Sequence, residues 1–204
     1  MSRNEIKVVI VGDKGVGKST LVNMYVGGTF HIHTSTIGCD LFRKNFGARG
    51  SVTFWDLQGQ ETPSVTPPMF IRNASAAIVV TLATAPTRAR IEQWKVLLNS
   101  HGLGEIPCAL ICNKMDLVPP RRSIQFDDDL DMELERIRLQ CGMSEVFYTS
   151  AMQRVGVDDA FDRVAESAFD FSEGRYAEFG SVVSLSSAWR KSMAGVKRGG
   201  GWCC

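Results

Sequence analysis

The stretch Gly12-Asp13-Lys14-Gly15-Val16-Gly17-Lys18-Ser19 constrains this chain more than any other. A glycine, four residues, then Gly-Lys-Ser is the pattern of a phosphate-binding loop, and the flanks supply its context. Ile6 to Val11 is an almost unbroken apolar, β-branched run, which predicts a buried strand. Behind the loop, Leu21, Val22, Met24 and Tyr25 recur at helical spacing. Strand, glycine-rich loop and helix in that order make a physical site. Glycines let the backbone curl so that successive N–H groups converge on one anion. The helix adds its unpaired N-terminal N–H groups and the positive end of its dipole. Lys18 can then reach the outer phosphates and the Ser19 hydroxyl can ligate Mg²⁺. The loop implies a nucleoside triphosphate without choosing the base.

The chain of 204 residues is long enough for one domain with a sizeable core and a tail. Lys+Arg 23 against Asp+Glu 22 leaves no bulk charge to draw in nucleic acid, so no such partner is expected. The polar Met1 to Glu5 leads straight into the first strand, without a secretory leader or an apolar run of about 18 residues. A cytosolic protein is expected. Cys39, Cys108, Cys112 and Cys141 lie in or beside apolar stretches and read as small core hydrophobes rather than disulfides or metal ligands. Cys203 and Cys204 are different, being the last two residues.

Along the chain, Gly27-Gly28 is a helix stop, and a polar stretch, Thr29 to Thr36, follows. Cys39 to Phe46 and Val52 to Leu57 read as two strands joined as a hairpin through Gly47-Ala48-Arg49-Gly50. The prolines in Thr62 to Pro68 predict a loop rather than a long helix. Strands are expected at Ala76 to Leu82, Ile106 to Cys112 and Val146 to Thr149. Helices are expected at Arg88 to Ser100, Asp127 to Leu139 and Val157 to Phe169, the first with Ile91, Trp94, Leu97 and Leu98 on one face. Acids open the second and basic residues close it, as the helix dipole favours. Alternating strands and helices imply an α/β fold, a six-stranded, mostly parallel sheet covered on both faces, with one antiparallel hairpin strand at its edge. In such sheets the ligand sits at the carboxyl ends of the strands.

Three further loops follow predicted strands. In Asp56-Leu57-Gln58-Gly59-Gln60-Glu61, the carboxylate can hold Mg²⁺, usually through water, and the glycine lets an N–H approach the terminal phosphate. In Asn113-Lys114-Met115-Asp116, Asp116 can accept both hydrogens from the N1 and N2 edge of guanine, a pair adenine does not offer. With the wrong base that carboxylate would stay unsatisfied, which can be worth about 10⁴-fold in selectivity. Thr149-Ser150-Ala151 can bring a backbone N–H to the guanine carbonyl.

Together these loops resemble those of the Ras superfamily of small GTPases, and within it the Rab branch, over roughly residues 5 to 170 and again at the terminal cysteine pair. The Rab-like details are Ser35-Thr36-Ile37-Gly38-Cys39-Asp40, Trp55-Asp56, and Phe70, Arg72 and Ala74. The resemblance implies the three-layer fold of P-loop NTPases and a GTP/GDP switch with Mg²⁺. It implies that Thr36 ligates Mg²⁺ beside Ser19 and Asp56 and senses the γ-phosphate, that Gln60 orients the attacking water, and that Phe30 packs on guanine. Lys18, Thr36 and Gln60 are the candidate catalytic residues. Gly12 through Thr20, Gly59, the Asn113-Lys114 and Asp116-Leu117 pairs, and Ser150, Ala151 and Met152 complete the candidate nucleotide pocket. Implied partners are an exchange factor, a GTPase-activating protein, prenylation escort and GDP-dissociation inhibitor proteins, and trafficking effectors. Turnover is expected to be slow and activator-dependent.

The sequence departs from the Rab pattern in places. Leu57 and Gln58 stand where Thr-Ala is usual, Thr62-Pro63 where Arg-Phe is usual, and Lys14 where many relatives have a small residue. The loop leading to Thr36 is one residue shorter than is common. Gln58, Lys14 and the prolines motivate a second reading, a nucleotide-loaded binding module with little turnover. A P-loop kinase or ATPase would need neither Asn113, Lys114 and Asp116 nor the terminal cysteines.

Two parts are expected, a GTPase domain over 1–170 and a tail over 171–204. Beyond Phe171 the chain is rich in Ser and Gly and reads as a spacer, with an amphipathic docking segment as the alternative because Val182, Leu185, Trp189, Met193 and Val196 recur at helical spacing. From Leu185 onward it carries Arg190, Lys191, Lys197 and Arg198 and no acid, which favours an anionic membrane by about 1 kcal/mol per charge near the surface. The final Cys203-Cys204 resembles the Rab ending that is geranylgeranylated on both cysteines, and two lipid chains hold a membrane where one does so only marginally. The implied location is the cytoplasmic face of an intracellular membrane, with a soluble cytosolic pool.

Overall fold

A computed structural model describes residues 5–28, 38–57, 66–118 and 125–174, the side chains of 125–130 excepted. The apolar run at the start becomes β1 (Glu5–Gly12), buried on both faces because it lies in the middle of the sheet. The remaining strands are β2 (Cys39–Asn45), β3 (Ser51–Leu57), β4 (Ala76–Leu82), β5 (Cys108–Asn113) and β6 (Glu145–Tyr148), in spatial order β2-β3-β1-β4-β5-β6. All neighbours run parallel except β2 against β3. That is the expected single antiparallel edge strand. Its hairpin turns through one 3₁₀ turn, Gly47–Arg49, with the Phe46 N–H donating to Gly50 O at 2.8 Å.

The helices are α1 (Lys18–Gly27), a single turn α2 (Pro68–Ile71), α3 (Arg88–Ser100), α4 (Gln125–Cys141) and α5 (Val157–Ser172). Side chains alternate along a strand, so β1 serves two cores. Ile6, Val8 and Ile10 join Leu21, Val22 and Tyr25 of α1 and Phe161 and Phe169 of α5. Val9 and Val11 join Trp94 and Leu98 of α3 and Leu134 and Ile137 of α4. The result is the expected three-layer α/β architecture. Among the described residues, no helix is long and apolar enough to cross a membrane. Cys108 and Cys112 are buried, Cys39 and Cys141 are half-buried, and all four are free thiols.

Element ends differ from expectation by a few residues for local reasons. β5 starts at Cys108, beyond Ile106, because Pro107 has no N–H to give the ladder; its carbonyl still accepts from Ala77 at 2.9 Å. The last helix runs on to Ser172, where Phe171 packs on the second core and Asp170 pairs with Arg49 at 2.8 Å. After the prolines the chain does not extend into a long helix: α2 has Pro68 in its first turn and stops at Ile71. Leu57, one of the departures from the Rab pattern, is 1% exposed and belongs to the second core.

Parallel strands put their carboxyl ends on one edge. Register places Gly12 beside Val80, Leu82 beside Asn113, and Cys112 beside Tyr148. The loops after β1, β3, β5 and β6, which carry the chemically interesting residues, therefore meet.

Candidate nucleotide-binding site

The loop between β1 and α1 takes its shape from close contacts that only glycine tolerates. Gly12 has φ +144°, and a Cβ there would lie 2.3 Å from the Val80 carbonyl oxygen. Gly17 has φ +98°, and its Cβ would lie 2.4 Å from Asn113 Nδ2. Between them Lys14 and Gly15 are exposed, while Val16 is buried in the first core. Lys18 is 6% exposed and folds back along the loop, donating from Nζ to Gly12 O at 2.9 Å and Asp13 O at 3.0 Å. Burial pulls its pKa below the ordinary lysine value, against the charges of Asp56 and Asp13, which hold it up. An arriving phosphate would offset that loss of hydration around a cation already held in place.

One residue along α1, the Ser19 hydroxyl donates to Asp56 Oδ2. Asp56 is fully buried at the end of β3. A hydroxyl and a carboxylate, both hard oxygen donors, thus meet beside the loop. This donor set fits Mg²⁺, which binds through one or two protein oxygens together with phosphate and water. No group of three or more His, Cys, Asp or Glu suited to a transition metal occurs among the described residues.

On the other side Asn113, 1% exposed, joins three loops. Its Nδ2 donates to Val16 O at 2.9 Å, and its Oδ1 accepts from Thr149 Oγ1 at 3.1 Å and the Ala151 N–H at 3.3 Å. Lys114 adopts a left-handed backbone (φ +64°). A Cβ on Gly17 would lie 3.9 Å from Lys114 Cε, so the lysine stem runs close to the loop. Asp116 Oδ1 accepts from Ser150 Oγ at 2.5 Å, and that oxygen in turn accepts from the Gln153 N–H at 3.1 Å. The carboxylate is oriented by a hydroxyl from the β6 loop. Leu117 and Met152 are exposed beside it, at 58% and 69%.

The structure therefore gathers Gly12 to Thr20, Asp56, Asn113 to Leu117 and Ser150 to Met152 at one edge of the sheet. Phe30, Thr36, Gln58, Gly59, Gln60, Cys203 and Cys204 lie outside the described residues. The Asp13 side chain faces away from the loop. Its carboxylate is held by Arg90 and Trp94 of α3, two residues that sequence reasoning did not connect with the site. Trp94 reads as a core position, and no local pattern ties Arg90 to a loop 77 residues away.

A family model described as Ras of Complex, Roc, domain of DAPkinase matches residues 7–116. The chain is 30% identical over 191 residues to the Ras-related protein Rab5A of Oryza sativa subsp. japonica, covering 90% of each chain. It is 32% identical over 167 residues to the Ras-related protein Rab5 of Nicotiana tabacum, covering 78% of this chain and 79% of the relative. It is 29% identical over 208 residues to the Ras-related protein Rab-7L1 of Mus musculus, covering 97% and 96%. At these identities and coverages the chain belongs to the Rab-like branch of the Ras superfamily of small GTPases, whose members bind GTP or GDP with Mg²⁺ and hydrolyse GTP.

Proposed function

We propose that this GTPase is a membrane-anchored switch that recruits effectors in vesicle trafficking, its nucleotide state read through the segments around Thr36 and Gly59. The observation that carries this reading is the Ser19–Asp56 contact. It lies where the chain leaves β3 for the Gly59-Gln60 segment, so nucleotide chemistry and the segment that would respond to it begin at one point. Mg²⁺ would be held by Ser19, Thr36 and Asp56 and would neutralise charge on the phosphates. The loop N–H groups and Lys18 bind the phosphates, Asp116 reads the guanine edge with Phe30 against the ring, and Gln60 places water in line with the γ-phosphate. Loss of the γ-phosphate releases Thr36 and Gly59, and effectors with them. An exchange factor reloads the site, and an activating protein speeds the slow step.

The tail over 171–204 is the anchor in this reading. Geranylgeranyl groups on Cys203 and Cys204, delivered by an escort protein and masked by a GDP-dissociation inhibitor, would hold the protein on the cytoplasmic face of an organelle membrane. Two experiments test the proposal. Purified protein should bind GDP and GTP far more tightly than ADP, and Asp116→Asn should transfer that preference to xanthine nucleotides; equal affinity for ADP and GDP would refute the base assignment. In cells, a Cys203→Ser/Cys204→Ser double variant should be cytosolic. An unmodified C-terminal peptide from the membrane fraction would refute the anchor.

A further inference from the structure

Asp13 directly follows the glycine that opens the phosphate loop, and three of its features act together. Its carboxylate is gripped from α3. Arg90 Nε reaches Oδ1 and Oδ2 at 3.1 and 3.0 Å, Arg90 Nη2 reaches Oδ1 at 2.7 Å, and Trp94 Nε1 reaches Oδ1 at 2.8 Å. The grip has a firm base. Trp94 is 2% exposed in the second core, and Arg90 Nη1 is held by Gln93 Oε1 at 2.8 Å. Meanwhile the Asp13 carbonyl accepts from Lys18 Nζ at 3.0 Å. The peptide that helps place the phosphate-binding ammonium is thus fixed by a side chain from another layer of the fold.

We infer that Arg90 is a positioning residue for nucleotide retention: through Asp13 it holds the loop and Lys18 in the geometry that receives the phosphates, and so sets how long the nucleotide stays bound. A planar guanidinium bonded through two nitrogens fixes orientation as well as distance, which a lysine cannot do. Trp94 adds a neutral donor to the same oxygen, one helical turn along. Only modest global stability is expected from a pair whose side chains are 27% and 35% exposed. The effect should therefore appear in nucleotide kinetics more than in melting. The inference rests on the reading of this loop as the nucleotide site.

The experiment measures release of fluorescent GDP, chased with excess GDP in Mg²⁺ buffer, from full-length wild type, Arg90→Ala, Arg90→Lys and Trp94→Phe. Arg90→Ala should release GDP about tenfold faster. Arg90→Lys, which keeps charge without the fork, should fall between it and wild type. Trp94→Phe, which stays aromatic but loses the donor and part of the buried ring system, should be roughly threefold faster. With GDP in large excess, the melting midpoint of Arg90→Ala should fall by no more than the roughly 3–6 °C that a tenfold weaker hold on GDP accounts for. A lower midpoint with an unchanged off-rate would make Arg90 a merely structural residue and overturn the inference. So would wild-type release from both Arg90→Ala and Trp94→Phe. Failure of the wild type to retain GDP at all would instead refute the nucleotide reading beneath it.

Discussion

The phosphate loop is pinned at two places by opposite kinds of chemistry. At Val16 the pin is Asn113, a neutral amide 1% exposed, which also ties Thr149 and Ala151. At Asp13 it is a charged pair, partly open to water, with an indole N–H beside it. One loop is thereby held at both ends without being locked. A buried neutral hub resists salt and pH, and its removal strands several partners at once. An exposed ion pair costs little to open and responds to both salt and acid. The Asn113 side is therefore the permanent half of this site, and the α3 side is the adjustable half.

The largest expected effect breaks the permanent half. Asn113→Ala leaves the Val16 carbonyl, the Thr149 hydroxyl and the Ala151 N–H without their partner, and should cost about 2–4 kcal/mol in urea unfolding, with loss of nucleotide. A cost as small as that of a surface substitution would end the claim that it is a hub. Gly17→Ala attacks the same pin from the loop side, by strain at φ +98° and collision with Asn113 Nδ2. About 1–3 kcal/mol of destabilisation is expected, again by urea unfolding.

Asp13→Asn weakens the adjustable half and gives it a pH signature. Partial burial works against the Asp13 carboxylate, but the hydrogen bonds from Arg90 and Trp94 and the charges of Arg90 and Lys18 outweigh it and hold its pKa below the usual carboxylate value. A lowered folded-state pKa contributes stability above the unfolded pKa, and that contribution is lost as pH falls through the folded pKa. Wild type should exceed Asp13→Asn by about 0.5–1 kcal/mol at neutral pH, and the gap should close only in acid below the ordinary carboxylate range. A gap already closing between neutral pH and about pH 5 would contradict the sign. The smallest effect is a control on the same helix. Arg88 pairs with Glu92 at 2.6 Å across exposed side chains, so Arg88→Ala should leave GDP release unchanged and shift the urea midpoint by no more than an ordinary surface substitution does. A release rate matching that of Arg90→Ala would make the Asp13 clamp an ordinary surface pair.

Much of this was readable from the chain alone, because the determinants are close in sequence. Strand β1 announces itself by consecutive β-branched residues, and the phosphate loop by eight contiguous positions, Gly12 to Ser19. β4 and α3 fall where their apolar patterns put them. Asn113 and Asp116 fall within one four-residue motif directly after an apolar run. Periodicity and local backbone demands act over a few residues, so they leave a linear trace.

Tertiary structure decided what holds those motifs to one another. Asn113 meets Val16 across 97 residues, and Arg90 meets Asp13 across 77. Nothing near Arg90 distinguishes it from Arg88, two positions before it, which points to Glu92 and solvent. The direction of a side chain out of a helix is set by the turn on which it falls, and the identity of its partner by how the layers pack. The fold of this protein follows from short-range patterns in its sequence. The grip on its phosphate loop exists only because α3, assembled on the second core, brings a guanidinium and an indole to the end of β1.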